Sequence, residues 1–206
     1  MYQNFVKRII DIILATIAII LTLPLFVIIA ILIKKEDKGT VFYKQIRTGK
    51  NGKNFEMFKF RSMNVVERGK EMTIKHEQRV TKIGKFLRKT SLDELPQFIN
   101  VLKGDMSFIG PRPWIVEYYE RFTEEQKKRV NVRPGIIGLA QAKGRNRITI
   151  FEKIKYDLEY IDNIDFQLDF KILILTIKVM IKGNYYEMSQ EKIEQEIKQL
   201  EMQNNS

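Results

Sequence analysis

The 206-residue sequence contains no cysteine and one histidine. The lack of cysteine excludes disulfide bonds, thiolate metal ligands and a cysteine nucleophile. The single histidine, His76, gives poor support for a serine–histidine triad or a multi-histidine metal site, and its polar surroundings predict a solvated loop residue. If the chain is an enzyme, carboxylates must supply its acidic, basic and nucleophilic groups.

Acidic residues are also scarce relative to basic ones, at 25 against 36, and the net charge is +11. This balance favours a polyanionic partner such as anionic lipid, nucleotide or nucleic acid. Charge alone does not choose among them. The sequence has neither a G-x-x-x-x-G-K-[ST] phosphate loop nor a recognisable nucleic-acid motif. Nucleic-acid binding therefore has only the charge in its favour, and no such partner is predicted.

One long apolar run, Ile12 to Ile33, is interrupted only by Thr16, Thr22 and Pro24. As a helix it reaches about 33 Å, enough to cross a bilayer. A cleaved signal peptide is disfavoured because charged residues follow the run, without a small-residue cleavage site. Two alternatives stay open: a spanning helix, and a bent re-entrant helix that enters and leaves on one face.

The flanking charges and the proline favour the re-entrant helix. Basic residues on both sides draw both ends toward the cytoplasm. Pro24 cannot donate to the carbonyl of Ile20, so it bends the helix. We therefore predict a helix–break–helix anchor over residues 1–36, with both termini cytoplasmic. The flanking basic residues are Lys7, Arg8, Lys34, Lys35 and Lys38.

Residues 37–184 are predicted to form a compact α/β domain, mostly helical with a small β-hairpin. The hairpin joins residues 41–43 and 55–60 through Asn51-Gly52, a favoured turn pair. Apolar residues at helical spacing after Phe166, bordered by lysines, predict an amphipathic helix at the membrane surface. A helix packed on the core is the alternative. Residues 185–206 are predicted to form an exposed charged tail.

The stretch Thr90 to Pro113, TSLDELPQFINVLKGDMSFIGPRP, has the pattern of a phosphate site. Ser91 and Glu94 match a capping box, which predicts a helix start, and Lys103-Gly104 predicts its end. Asp93 in the first turn would lie near the positive end of the helix dipole. Such an ionised carboxylate can attack phosphorus if cations neutralise the phosphate oxygens.

The alternative is structural: Ser91 and Glu94 only cap a helix, and Asp93 is a surface acid favoured by the dipole. A non-enzymatic reading of the whole chain follows from it. In that reading the protein is a basic membrane-surface scaffold that binds anionic lipid.

The segments SLDELPQ and NVLKGDMSFIGPRP together resemble the core motif of the bacterial sugar transferases. These are monotopic phosphoglycosyl transferases that start glycoconjugate assembly on a polyprenol phosphate. The similarity extends from KRIID near the start to LDFKIL around Asp169. It implies an enzyme of the bacterial inner membrane whose active site faces the cytoplasm. It leans toward the bacillosamine-type transferases of protein glycosylation, although capsule and lipopolysaccharide initiation use the same framework.

This resemblance implies transfer of a sugar 1-phosphate from a UDP-sugar to undecaprenyl phosphate, with release of UMP. Asp93 would form a phosphosugar–aspartyl intermediate and bind Mg²⁺, and Glu94 would assist proton transfer or orient the acceptor. Asp157 and Asp169, acidic in the family, would orient neighbouring groups. The cations implied to contact phosphate are Lys59, within a matching KFRSM segment, Arg88, Arg112 and Arg145.

The sequence departs from the family pattern at three places. Leu23-Pro24 replaces a Ser-Pro pair, so a hydroxyl that could satisfy a freed helix carbonyl is missing, and Thr22 is the candidate substitute. Ile137 stands where threonine is usual, and Lys143 where asparagine often stands. These two changes weaken any assignment of the sugar.

Overall fold

The computed structural model describes residues 2–64, 79–144, 148–181 and 190–204. Helices dominate these ranges, and the strands form two small two-stranded sheets, which confirms the predicted mostly helical fold. The helices are α1 (Lys7–Asp37), α2 (Lys82–Thr90), α3 (Gln97–Lys103), α4 (Val116–Tyr119), α5 (Glu124–Lys127), α6 (Leu139–Lys143), α7 (Ile150–Asp162), α8 (Phe166–Ile181) and α9 (Gln190–Asn204). The strands are β1 (Phe42–Thr48), β2 (Asn54–Phe60), β3 (Ser107–Ile109) and β4 (Gly135–Ile137).

Strands β1 and β2 form the predicted antiparallel hairpin, with Phe42 opposite Phe60 and Thr48 opposite Asn54. The turn places Asn51 at φ 55° and Gly52 at φ 75°. Asparagine and glycine tolerate this left-handed backbone, so the Asn-Gly pair fixes the hairpin. The other sheet pairs β3 with β4 in parallel.

Helix α1 runs without interruption through Pro24. The segment is therefore assigned as one long helix, without the interruption that the predicted helix–break–helix arrangement places at Pro24. The predicted bend and re-entry stay predictions. The Thr22 hydroxyl donates to the carbonyl of Ala18 at 2.6 Å, one turn earlier, and not to Ile20 as predicted. A threonine in a helix reaches its own i−4 carbonyl more readily than the carbonyl that a proline frees.

Helix α1 exposes many apolar side chains and also packs against the core of the domain. By length and composition it could cross a membrane, and most of its apolar stretch is not buried in the domain. Ile20 and Leu21 near its middle are 65% and 73% exposed. Two of the apolar clusters tie it to the domain: Ala15 packs with Met57, Val101 and Met106, and Ile29 and Ile33 pack with Phe60 and Leu87.

Helix α8 has two apolar faces with different surroundings. Ile172 is fully buried, in one cluster with Ile109, Leu139 and Tyr160. The opposite face is exposed and apolar. α8 therefore packs on the core, as the alternative prediction held, and also presents an uncovered apolar surface. The exposed residues are Phe166, Phe170, Leu173, Ile174 and Ile177.

The prediction of an exposed C-terminal tail is wrong for its described part. Ile197 of α9 is fully buried and packs with Phe122, Ile150 and Ile154. The buried Glu196 carboxylate accepts a 2.6 Å hydrogen bond from the amide of Ile150, the first residue of α7. A carboxylate is favourable there because the first amides of a helix lack partners.

We predict that Ile197→Ala lowers the free energy of unfolding by about 2–4 kcal/mol, because it opens a cavity in a packed cluster. The only tryptophan, Trp114, packs against the same cluster, so its fluorescence can follow denaturation of the detergent-solubilised chain. Met202→Ala on the same helix is the control, since Met202 is 64% exposed, and should change stability by less than about 0.5 kcal/mol. Equal effects of the two changes would contradict the docking of α9.

Candidate active site

The turn that carries Asp93 and Glu94 links α2 to α3. Ser91 adopts φ 58° and ends α2, and Leu92–Glu94 form a single 3₁₀ turn. The predicted capping box is therefore wrong: the Ser91 side chain caps nothing in this turn, and α3 begins only at Gln97, after Pro96. The predicted helix end is confirmed, because Gly104 closes α3 at φ 91°.

Glu94 lies between two cations from distant parts of the chain. Arg112 binds its carboxylate with both terminal nitrogens, one of them 3.1 Å from Oε2. Lys59 Nζ donates to Oε1 at 2.9 Å. Burial by itself would raise the pKa of Glu94, but the charges and hydrogen bonds of Arg112 and Lys59 hold it well below its usual range. Glu94 is thus a permanent anion.

Asp93 lies beside this cluster and is only 8% exposed. Burial raises its pKa from 3.8 to about 6. Lys59, and more weakly Arg112 and Arg88, oppose this rise, whereas the neighbouring Glu94 adds to it. The result is a desolvated carboxylate that is ionised at neutral pH and surrounded by cations. Such a group is a competent nucleophile toward phosphorus.

The position of Lys59 depends on an asparagine that the sequence interpretation missed. Asn100 of α3 is fully buried and bonds to the backbone of β2 on both sides of Met57. Its Oδ1 accepts from the amide of Phe58 at 2.9 Å, and its Nδ2 donates to the carbonyl of Glu56 at 2.6 Å. These bonds fix β2 against α3 and set Lys59 next to Glu94.

Arg112 is held from two sides. Its Nη1 also donates to the carbonyl of Ile136 at 3.3 Å. This requires close approach of two loops, and a Cβ on Gly135 would lie 2.2 Å from the amide nitrogen of Gly110. Behind Arg112, Arg129 donates to its carbonyl at 2.9 Å and forms a buried ion pair with Asp157.

The other predicted site residues are placed as follows. Arg88, at the end of α2, donates from Nε to the Ser62 hydroxyl at 3.0 Å, and its charge acts on Asp93. Asp157 is connected to Arg112 indirectly: it pairs with Arg129, which donates to the carbonyl of Arg112. Asp169 lies elsewhere: it accepts from Tyr2, Lys7 and Tyr160, and so holds the N-terminal segment against α8. Arg145 and His76 fall outside the described residues.

A magnesium site built only from protein ligands does not occur among the described residues, where no group of three or more acidic or histidine side chains converges. Glu94 is already bound by two cations. Asp93 alone remains as a carboxylate donor. This donor set fits Mg²⁺ only in the manner in which it commonly binds phosphate substrates, through one or two carboxylates together with phosphate oxygens.

Taken together, the site is a half-buried cluster of cations around two carboxylates: Glu94, which the cations bind, and the buried Asp93. The turn that carries both packs against the long apolar helix α1. A family model described as bacterial sugar transferase matches residues 2–183. The chain belongs to the bacterial sugar transferase family.

Individual relatives agree with this assignment. The galactosyl transferase CpsE of Streptococcus agalactiae is 47% identical over 163 residues, which are 72% of this chain and 36% of CpsE. The sugar transferase EpsL of Bacillus subtilis is 41% identical over 175 residues, covering 85% and 87% of the two chains. The UDP-glucose:undecaprenyl-phosphate glucose-1-phosphate transferase of Escherichia coli is 45% identical over 185 residues, covering 85% and 40%. The chain thus spans most of EpsL but about two fifths of the other two.

We predict that Asp93→Asn stabilises the folded protein at about pH 7.5 by about 1–3 kcal/mol. The pKa of Asp93 in the folded state lies above its ordinary value of 3.8, so the folded protein binds this proton more tightly than the unfolded chain. Stability contributed by the protonated form is therefore lost as the pH rises from about 4 to about 6. The advantage of the asparagine variant should vanish near pH 4.

Denaturation curves at several pH values check this, with Asp162→Asn, at an exposed position at the end of α7, as the control. If the wild-type protein were more stable than Asp93→Asn at about pH 7.5, burial of the ionised Asp93 carboxylate would not be destabilising, which contradicts the prediction.

Proposed function

We propose that the protein transfers a sugar 1-phosphate from a UDP-sugar to undecaprenyl phosphate through a covalent intermediate on Asp93. One Asp93 oxygen attacks the β-phosphorus as the bond to the bridging oxygen breaks, and UMP leaves. An oxygen of the lipid phosphate then attacks the same phosphorus and frees Asp93. The observation that carries this proposal is the buried Asp93 carboxylate among Lys59, Arg88 and Arg112, in a chain of this family.

The cations explain how a carboxylate can approach a diphosphate. Both groups are anionic, so the attack needs positive charge that is fixed in place before the substrate arrives. Lys59 and Arg112 are already fixed by Glu94, at 2.9 Å and 3.1 Å. Neither side chain has to become ordered when phosphate binds, which lowers the cost of reaching the transition state.

We assign Glu94 the role of holding these cations in place. A general base must release and accept protons near neutral pH. The pKa of Glu94 is held far below that range by Arg112 and Lys59, which makes it a poor proton carrier. This assignment differs from the proton-transfer role that the family resemblance suggests. It differs also from the other role that the resemblance suggests, which is orientation of the acceptor.

Mg²⁺ would be bound by Asp93 together with diphosphate oxygens, and it would offset charge on the phosphates. The protein's own residues do the remaining work. Lys59 and Arg112 bind phosphate oxygens, and Arg88 contributes positive charge beside Asp93.

We also propose that α1 enters and leaves the membrane on the cytoplasmic face. If α1 crossed about 30 Å of hydrocarbon, its two ends would lie on opposite sides of the bilayer, and only one of them could contact the domain. Here both ends bind the same domain. Arg8 Nη1 donates to the carbonyl of Val101 at 2.6 Å, and the Glu36 carboxylate accepts from the amides of Lys82 and Ile83 at 2.7 Å and 3.1 Å. This geometry supports re-entry into one leaflet.

The exposed apolar face of α8 supports a second contact with the same leaflet. A helix with one apolar face and lysines at its border lies in the interfacial plane of a bilayer. Contacts of α1 and α8 with this leaflet would hold the active site at the membrane surface. There a soluble nucleotide sugar and a lipid-embedded phosphate can meet. We propose exopolysaccharide synthesis as the pathway, because one relative is the exopolysaccharide production protein ExoY of Rhizobium meliloti.

We predict that intact mass spectrometry will detect a phosphosugar adduct when the solubilised protein is incubated with UDP-sugars and Mg²⁺ without acceptor. The panel needs UDP-glucose, UDP-galactose and N-acetylated amino sugars. Asp93→Asn should form no adduct and lose roughly a thousandfold or more in UMP release, because the nucleophile is gone.

Asp162→Asn serves as the matched control and should behave as the wild type. Unchanged turnover in Asp93→Asn would refute the assigned nucleophile. No turnover with any donor and lipid acceptor would favour the membrane scaffold instead.

The absence of cysteine allows a direct test of topology. We predict that Gln3→Cys and Lys38→Cys, one before and one after α1, react with a membrane-impermeant maleimide from the cytoplasmic side only. Sealed vesicles of known orientation give the measurement, and the cysteine-free parent gives the background. Labelling of the two positions from opposite sides would rule out re-entry.

A further inference from the structure

Arg47, on β1, is a fourth cation at this site, after Lys59, Arg88 and Arg112, and the motifs that define the site did not include it. Its Nη1 donates to the carbonyl of Pro113 at 3.3 Å, directly after Arg112, and its Nη2 donates to Gln45 Oε1 at 2.7 Å. Its Nε is buried and has no hydrogen-bond partner among the described residues. A buried donor without a partner costs free energy, so its presence requires an explanation.

The positive charge of Arg47 is only partly balanced by the acidic side chains near it. Burial, and next the charge of Arg112, lowers the pKa of Arg47 to about 10, so it stays protonated at neutral pH. Glu94 attracts it, but that carboxylate is already bound to Lys59 and Arg112. Glu117, the other acid that acts on it, is exposed to solvent, which weakens its effect.

Hydrogen bonds place Arg47 next to Arg112. The Arg47 guanidinium donates to the carbonyl of Pro113, the residue after Arg112, whereas Arg112 itself bonds to Glu94, the neighbour of Asp93. Arg112 thus connects Arg47 to the pair of carboxylates. A diphosphate also has two adjacent anionic groups, and only the one attacked has to lie beside Asp93.

We propose that Arg47 forms the subsite for the nucleoside-linked phosphate of the donor, next to the Arg112 and Lys59 subsite for the phosphate that Asp93 attacks. This inference rests on the proposed function. It places the nucleoside on the hairpin side of the site, beyond Arg47. It also assigns Arg47 to the leaving group, because a guanidinium can neutralise the charge that UMP gains as the phosphate bond breaks.

The test is binding of UMP to the full, detergent-solubilised chain by calorimetry. For Arg47→Gln we expect the Kd for UMP to rise about tenfold, the loss typical of one charge-assisted hydrogen bond. Uridine, which lacks the phosphate, should bind wild type and variant equally. Arg47→Lys should give an intermediate value, because it keeps the charge and loses the planar fork.

Lys44→Gln is the matched control, since Lys44 lies on the same strand but pairs with Glu56 in solvent. It should leave the Kd for UMP within about twofold of wild type, as one exposed charge contributes little. A Kd for UMP within twofold of wild type in Arg47→Gln would overturn the subsite. If that variant does not fold, as judged by circular dichroism, wild-type affinity in Arg47→Lys would overturn it equally.

The two proposals fail in different ways. An adduct on Asp93 together with UMP binding that is indifferent to Arg47 leaves the reaction standing and removes the subsite. Loss of UMP affinity in Arg47→Gln without any adduct on Asp93 leaves a nucleotide site and removes the covalent mechanism.

Discussion

The carboxylate of Glu94, shared by Lys59 and Arg112, is the contact on which the rest of the site depends. It joins a β-hairpin, the turn between α2 and α3, and the loop after β3, which are far apart in sequence. Partly buried charges are costly unless they are paired. Here the pairing fixes two cations in place, while the adjacent Asp93 has no such ion pair among the described residues and has a raised pKa. Two neighbouring carboxylates thus acquire opposite properties from their surroundings alone.

Around this contact the domain is arranged to limit movement. Asn100 fixes the strand that carries Lys59, and the Asp157–Arg129 pair fixes the backbone of Arg112. Leu92 and Leu95, on either side of the two carboxylates, pack against the cluster that contains Ile29 and Ile33 of α1. The site is therefore held by polar contacts to the cations and by apolar contacts to the turn that carries Asp93.

Features set by neighbouring residues were predictable from the sequence. The Asn51-Gly52 turn and the end of α3 at Gly104 each depend on the backbone freedom of one or two residues. The failure of the capping box predicted at Ser91 could not be seen in the sequence, because Glu94 bonds to cations 18 and 35 residues away in preference to the local amide. Asn100, Arg129 and the buried middle of α9 were missed for the same reason. Their partners are distant in sequence, and one chain gives no local signal for such contacts.

The burial of Ala15, Ile29 and Ile33 decides whether helix α1 can be separated from the domain. In many membrane enzymes the anchor is a tether that can be cut away to leave a water-soluble catalyst. In this protein the long apolar helix α1 also belongs to the core of the domain. Removing it would uncover Phe60, Leu87, Leu92 and Leu95, so the turn that carries Asp93 and Glu94 would lose its apolar support. We therefore expect no truncated, water-soluble form to keep the fold of that turn.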